Sequence, residues 1–160
     1  MNKAEFFDTL RTERARWDEL LSQIDETQMT QPGVVGEWSV KDIFAHVTWF
    51  EREMVGMLQA RALIGSELWD LSQDERNAVV FERNRHLPLR DVLAEARRVY
   101  EQLLEGLQSL SEEELTDAGR FREMPAEWLP WKIIADNTYE HYLAHAPAIR
   151  AWLEKSEEHS

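Results

Sequence analysis

Cysteine is absent from this 160-residue chain, which removes disulfides, zinc–thiolate sites, iron–sulfur clusters and cysteine nucleophiles together. Any metal must therefore be held by His, Asp or Glu. Long hydrophobic runs are also missing: uninterrupted apolar stretches are a few residues long, far short of the roughly 20 that a membrane span needs. The opening segment MNKAEFFDTLRTERARW has no apolar core and no small-residue cleavage site, so it does not read as a secretory signal. A cytoplasmic location is expected. Basic residues are outnumbered, 18 against 31 acidic, for a formal charge of −13. Such a surface repels phosphate backbones and anionic headgroups, so no nucleic acid and no membrane is expected as a partner, and a small-molecule substrate is. No strand-like alternation, repeat or low-complexity tract is found.

What is present suits one globular domain. The hydrophobic fraction, 43%, is too high for a disordered chain. At this length a domain buries roughly 70% of the surface its unfolded chain exposes, enough for a core without staples. A single domain is expected over residues 1–155, with an acidic tail at 156–160.

Four long segments carry a helical period. In the first, from about Lys3 to Ile24, Phe6, Leu10, Trp17, Leu20, Leu21 and Ile24 form one stripe, with Arg and Glu filling the other side. Residues 27–38 read as a loop, broken by Pro32, Gly33 and Gly36. Ser39 with Asp42 three residues later resembles a capping box opening a second helix, which should run to about Leu63 and end at Gly65 and Ser66. A crossover from Glu67 to about Leu87 can hold a short helix at residues 74–83, and Pro88 suits the first turn of a third long helix. Ser111 with its following glutamates is an N-cap for one short turn, and a second irregular connection spans residues 116–129. The fourth long helix should run from about Pro130 to Glu154. The expected class is all-α, a four-helix bundle with one long crossover.

Three of the five histidines stand in informative places. His141 and His145 are four apart, neighbours on one helix face. Ile134, Asn137, Ala148 and Trp152 fall within about 40° of His141 at 100° per residue, so this face points inward. On spacing alone the pair reads two ways: as two satisfied core histidines, or as imidazoles sharing a metal. His46 lies on the flank of the second helix's apolar stripe and can face the pair if helices two and four are neighbours. Three imidazoles with vacant positions suit a borderline metal, Zn²⁺ first, with Ni²⁺ or Fe²⁺ as alternatives. His86 and His159 read as solvated. His-Glu-x-x-His is absent, as is Glu-x-x-His within a long helix, which argues against a metalloprotease and a ferritin-like di-iron centre.

Two segments carry a family resemblance. Gly36-Glu37-Trp38-Ser39-Val40-Lys41-Asp42-Ile43-Phe44-Ala45-His46, followed by Val47-Thr48-Trp49-Phe50-Glu51, and Asn137-Thr138-Tyr139-Glu140-His141-Tyr142-Leu143-Ala144-His145 together resemble the DinB-like superfamily, specifically its DfsB/ClbS-type branch. The resemblance covers about residues 3–155. It implies a four-helix bundle, often assembled as a homodimer, and a metal on His46, His141 and His145. One departure is Pro147, where relatives continue with small or polar residues; it should bend the helix just past the last ligand.

The resemblance implies metal-dependent hydrolysis of an electrophilic small molecule, or a thiol-dependent S-transferase. A non-catalytic metal-binding or dimer-forming bundle is the third reading. Glu53, two turns along from His46, is a candidate general base. Asp42 is a candidate acceptor for the second ring N–H of His46, and Asn137 a candidate substrate-orienting group. Trp49 and Trp131 are candidates to wall an apolar pocket. The transferase reading needs a basic pocket, for which Lys132, Arg52 or Arg150 are available.

Overall fold

The computed structural model describes residues 1–158. Among these residues eight α-helices follow one another: α1 (Lys3–Ser22), α2 (Glu26–Met29), α3 (Val40–Ala60), α4 (Gln73–Asn84), α5 (Leu89–Gln108), α6 (Glu112–Thr116), α7 (Pro130–Asp136) and α8 (Tyr139–Glu158). Two short 3₁₀ turns, Glu67–Asp70 and Ala118–Arg120, lie in the connections. The bundle is built from α1, α3, α5 and α8: α3 packs along α5, α1 along α8, and α3 also meets α8 and α4. No named strand occurs among the described residues, and no described helix is long and apolar enough to cross a membrane.

The stripes expected from the sequence are buried. Phe6, Leu10, Trp17 and Leu20 of α1, Ile43, Val47, Met57 and Leu58 of α3, and Val92, Val99, Leu103 and Leu107 of α5 meet in one continuous core. At about 25 cal/mol per Å² of apolar surface removed from water, this burial drives the fold.

The local start signals also work as read. Ser39 Oγ accepts the Asp42 N–H at 3.2 Å, and Asp42 Oδ2 accepts the Ser39 N–H at 2.9 Å. Ser111 and Glu114 repeat the arrangement at α6.

Boundaries differ where a polar side chain or a backbone reversal intervenes. The second long helix stops at Ala60, not Leu63, because Arg61 turns into the left-handed region at φ 49°. The chain then runs beside residues 121–122, with the Leu63 N–H donating to the Arg122 carbonyl at 2.7 Å and the Arg122 N–H to the Arg61 carbonyl at 2.9 Å. Residues 27–29 of the expected loop lie in α2 (Glu26–Met29), opened by a box between Asp25 and Gln28. Pro88 caps α5 from outside rather than lying in its first turn.

The fourth segment is two helices. Asn137 Nδ2 donates to the Ile133 carbonyl at 2.8 Å, and Thr138 Oγ1 to the Ile134 carbonyl at 2.7 Å. These side chains compete for the carbonyls of the preceding turn, and the helix breaks there. A new one starts at Tyr139 and continues through Pro147 to Glu158, taking in the first residues of the expected tail. The carbonyl that Pro147 leaves without a donor belongs to Leu143, an exposed residue where water can serve it. His159 lies outside the described residues.

Arg14 is also not on the solvated side of α1. It is buried, with Nη1 donating to Glu51 Oε1 of α3 at 3.2 Å and to the Tyr142 hydroxyl of α8 at 3.0 Å. Its guanidinium lies 4.2 Å from the centre of the Tyr100 ring on α5, so the four bundle helices share one buried polar knot. Burial opposes the Arg14 charge, but Tyr142, Glu51 and Asp18 outweigh it and raise its pKa. Burial likewise lifts the Glu51 carboxyl and the Tyr142 hydroxyl above their ordinary ranges.

Candidate metal centre

Three imidazoles from two helices meet at one end of this core. His46 comes from the second turn of α3, positioned by the Ser39 cap. His141 and His145 come from successive turns of α8, which the break at Asn137–Thr138 allows to start in its own direction. His46 Nε2 lies 3.0 Å from His141 Nε2, and His145 Nε2 lies 3.0 Å from the same atom. One ring nitrogen from each of the three falls within 4.8 Å of the other two. Pro147 therefore does not carry His145 away from its partners.

Two aromatic side chains, Trp38 and Phe50, pack on the triad. Trp38 stands over His46 at a centroid separation of 5.2 Å and stacks flat on Phe81 of α4 at 5.4 Å. The loop before α3 puts it there: Gly36 takes a left-handed φ of 57°, and the Val34 N–H donates to the Trp38 carbonyl at 2.9 Å. Phe50, one turn after His46, touches both His46 (4.9 Å) and His141 (4.8 Å).

This setting keeps the rings neutral. Burial, with His141 and His145 adding repulsion, pushes the His46 pKa down to about 2. Burial and His145 take His141 down to about 3, and burial lowers His145. Neutral rings cannot satisfy the convergence by hydrogen bonding alone. The single Nε2 position of His141 is either a donor or an acceptor, whereas two other nitrogens stand 3.0 Å from it. A cation is the partner that three lone pairs can share. Two nitrogens bound tetrahedrally to one Zn²⁺ at about 2.0–2.1 Å stand about 3.3–3.4 Å apart, a few tenths of an ångström wider than the 3.0 Å here, so the donor type suits a divalent metal and a small opening of the rings would seat it.

The second ring nitrogens follow the sequence reading less well. His46 Nδ1 and His141 Nδ1 are buried and have no hydrogen-bond partner among the described residues. Asp42 does not serve His46, because its Oδ2 is drawn back to the Ser39 N–H and Oγ–H, both at 2.9 Å. Helical side chains lean toward the N-terminus, which takes this carboxylate toward its cap and away from His46.

Beside the triad lies a cavity of about 860 Å³, with Glu53 and Asn137 in its lining. The histidines are not among its walls. Contact passes instead from His141 to Phe50 and from Phe50 to Trp69 (5.5 Å), which does line the cavity. Glu53 Oε1 accepts the Trp69 indole N–H at 2.8 Å and the Ser66 N–H at 2.6 Å. Gly65 permits this, since a Cβ there would sit 2.7 Å from the indole. Asn137 Nδ2 serves Ile133, and its Oδ1 takes no hydrogen bond among the described residues.

The tryptophans that wall the cavity are Trp69 and Trp128, not Trp49 and Trp131. Trp49 is buried against Phe50 and Trp69, and Trp131 packs on the main core. Of the three cations considered for a thiol's carboxylates, Lys132 alone lines this cavity. Arg52 is paired with Glu95 at 2.6 Å, and Arg150 borders a separate cleft between α1 and α8. His86 is exposed, as expected.

An all-α bundle with a histidine triad between two helices defines the class. Residues 9–146 match the model of the DinB superfamily, and the chain belongs to that superfamily. Solved structures agree on the fold. An uncharacterised protein from Escherichia coli UTI89 superposes with a TM-score of 0.80 at 16% identity, covering 98% of this chain and 95% of its own. A protein from Streptococcus pneumoniae gives 0.81 at 18% identity, with 96% and 91% covered. DfsB, described as a sibling lethal factor precursor, gives 0.81 at 17% identity, with 98% and 97% covered. Among curated proteins none matches this chain.

Proposed function

We propose that this chain is a metal-dependent hydrolase that inactivates an electrophilic small molecule, with one divalent ion on His46, His141 and His145. One observation carries the reading: two imidazole nitrogens stand 3.0 Å from His141 Nε2, which as a neutral ring nitrogen has one N–H or one lone pair to offer the two of them. Zn²⁺ suits this donor set best, with Ni²⁺ and Fe²⁺ as alternatives. A bound ion supplies Lewis acidity and lets water act as a nucleophile near neutral pH. In this reading Glu53 takes the proton at Oε2, since Oε1 is held by Ser66 and Trp69. Asn137 orients the substrate through Oδ1, and Phe50, Trp38 and Trp69 exclude bulk water. Thiol transfer is the weaker reading, because the cavity offers an anionic thiol only Lys132.

The test uses untagged protein. Elemental analysis should find about one metal per chain in the wild type and none in His141→Ala. Hydrolysis of nitrophenyl acetate and styrene oxide should disappear with the metal and return on adding Zn²⁺ to the wild type alone. Metal retained by His141→Ala would remove the basis for the proposal.

A further inference from the structure

The cavity beside the triad has two properties that together specify a ligand. The first is an apolar, aromatic wall. Ile64, Trp69, Trp128 and Leu129 are all exposed large hydrophobics, and all four border it. Clustering of such groups around one concavity of drug-like volume marks a binding surface rather than scatter.

The second is charge. Five carboxylates line the cavity, Glu53, Glu67, Asp70, Glu127 and Asp136, against the one ammonium of Lys132. Nearby cations do not correct the balance. Arg52 is paired with Glu95 and Arg61 with Glu114; Arg76, which donates to the carbonyls of Leu68 and Leu71 at 3.2 Å each, keeps its charge, and counting it with Lys132 still leaves five acids against two cations. Lys132 sits one helical turn from Asp136, which offsets its charge locally. The wall already holds one cation on an indole: the Arg76 guanidinium lies 4.7 Å from the centre of the Trp69 ring. A protonated amine near Trp128 would gain the same attraction together with that of the surrounding carboxylates.

We infer that the cavity selects hydrophobic cations, molecules with an apolar, planar body and a protonated amine, and disfavours anions of the same shape. Taken as the substrate class of the hydrolase, the inference rests on the proposed function; taken as a binding preference, it stands on the cavity alone.

Calorimetry with naphthylethylamine, naphthylethanol and naphthylacetate tests it, because the three share one apolar body and differ in charge. The amine should bind roughly tenfold tighter than the carboxylate at low ionic strength, with the alcohol between them and the gap narrowing in high salt. Trp128→Ala should weaken all three. The double variant Glu127→Gln/Asp136→Asn, which leaves the triad untouched, should shrink the amine preference and spare metal content. A carboxylate that binds as tightly as the amine, or a preference that survives the double variant, overturns the inference. Metal assayed on the same samples separates the two ideas. Amine preference in protein that takes up no metal sinks the hydrolase and upholds the cavity's selectivity; full metal with carboxylate preferred does the reverse.

Discussion

Glu53 Oε1 and the Trp69 indole N–H are joined by a 2.8 Å hydrogen bond, which ties α3 to the crossover and holds an aromatic wall against the candidate site. The same oxygen takes the Ser66 N–H, so Oε1 is structural. In the proposed mechanism Oε2 is the atom that takes the proton. Glu53→Gln separates them, since an amide oxygen still accepts both hydrogen bonds but cannot take a proton. Turnover in Glu53→Gln should fall by about 10²–10⁴-fold, with tryptophan emission and urea midpoint near wild type. Glu53→Ala should lose the loop contact as well and shift the emission. Equal turnover in wild type and Glu53→Gln would strip Glu53 of its catalytic role.

Gly65 tests the packing of that wall directly. A methyl group at this position would meet Trp69 Cδ1 and Nε1 at 2.7 Å, and Glu53 Oε1 at 3.2 Å. Something has to move, and the indole is the less buried partner. Gly65→Ala should cost about 1–3 kcal/mol in urea unfolding, the usual range for overpacking, and should displace Trp69 from Glu53. A variant as stable as the parent, with unchanged emission, would show that the contact is looser than described.

What could be read from the sequence divides by the range of the interactions. Ser39 with Asp42, and Ser111 with Glu114, announce their helices because a capping box is complete within four residues. The stripes of α1, α3 and α5 are visible because burial imposes a 3.6-residue period. His141 and His145 were visible as a pair for the same reason, while His46 needed either the neighbouring of two helices or the family resemblance.

The burial of Arg14 could not be read, since its partners lie 37 and 128 residues away and an arginine among glutamates looks solvated. The break before α8 left the apolar period undisturbed and depended on two short side chains choosing backbone carbonyls. The signal was there in Asn137-Thr138, adjacent residues of the type that bonds its own backbone. Trp69 escaped notice because its role depends on Glu53 and on the space left by Gly65.

The buried knot gives a stability prediction. Glu51 is fully buried between Arg14 and Tyr142. Removing one partner leaves the other charge without compensation, so Glu51→Ala should cost about 3–5 kcal/mol. The double replacement Arg14→Met/Glu51→Leu removes both charges and should recover most of that loss. A double variant no better than the single in urea titrations would place the energy in the hydrogen bonds to Tyr142 rather than in the lone charge.

Protonation of the triad sets the pH dependence of chelated protein. Unfolded histidine titrates near 6.5, whereas the folded chain holds His46 at about 2 and His141 at about 3, with His145 also lowered. Below about 6.5 the unfolded state binds protons that the folded state refuses. Stability is therefore fully present above that pH and falls as pH drops toward the folded values. Each histidine adds up to about 1.4 kcal/mol per pH unit inside the window. Most carboxylates titrate lower; Glu51, whose carboxyl burial lifts, acts with the opposite sign, so comparison with a triad variant is what isolates the histidines in the interval from about 6.5 to 5. Urea midpoints measured after chelation should decline steadily across it, and a His46→Leu/His141→Leu variant should show a clearly shallower slope. Metal-loaded protein should resist the decline until protons compete the ion away, then lose metal and stability together. Identical slopes for the chelated wild type and the double variant would mean that these rings are not held neutral by the fold.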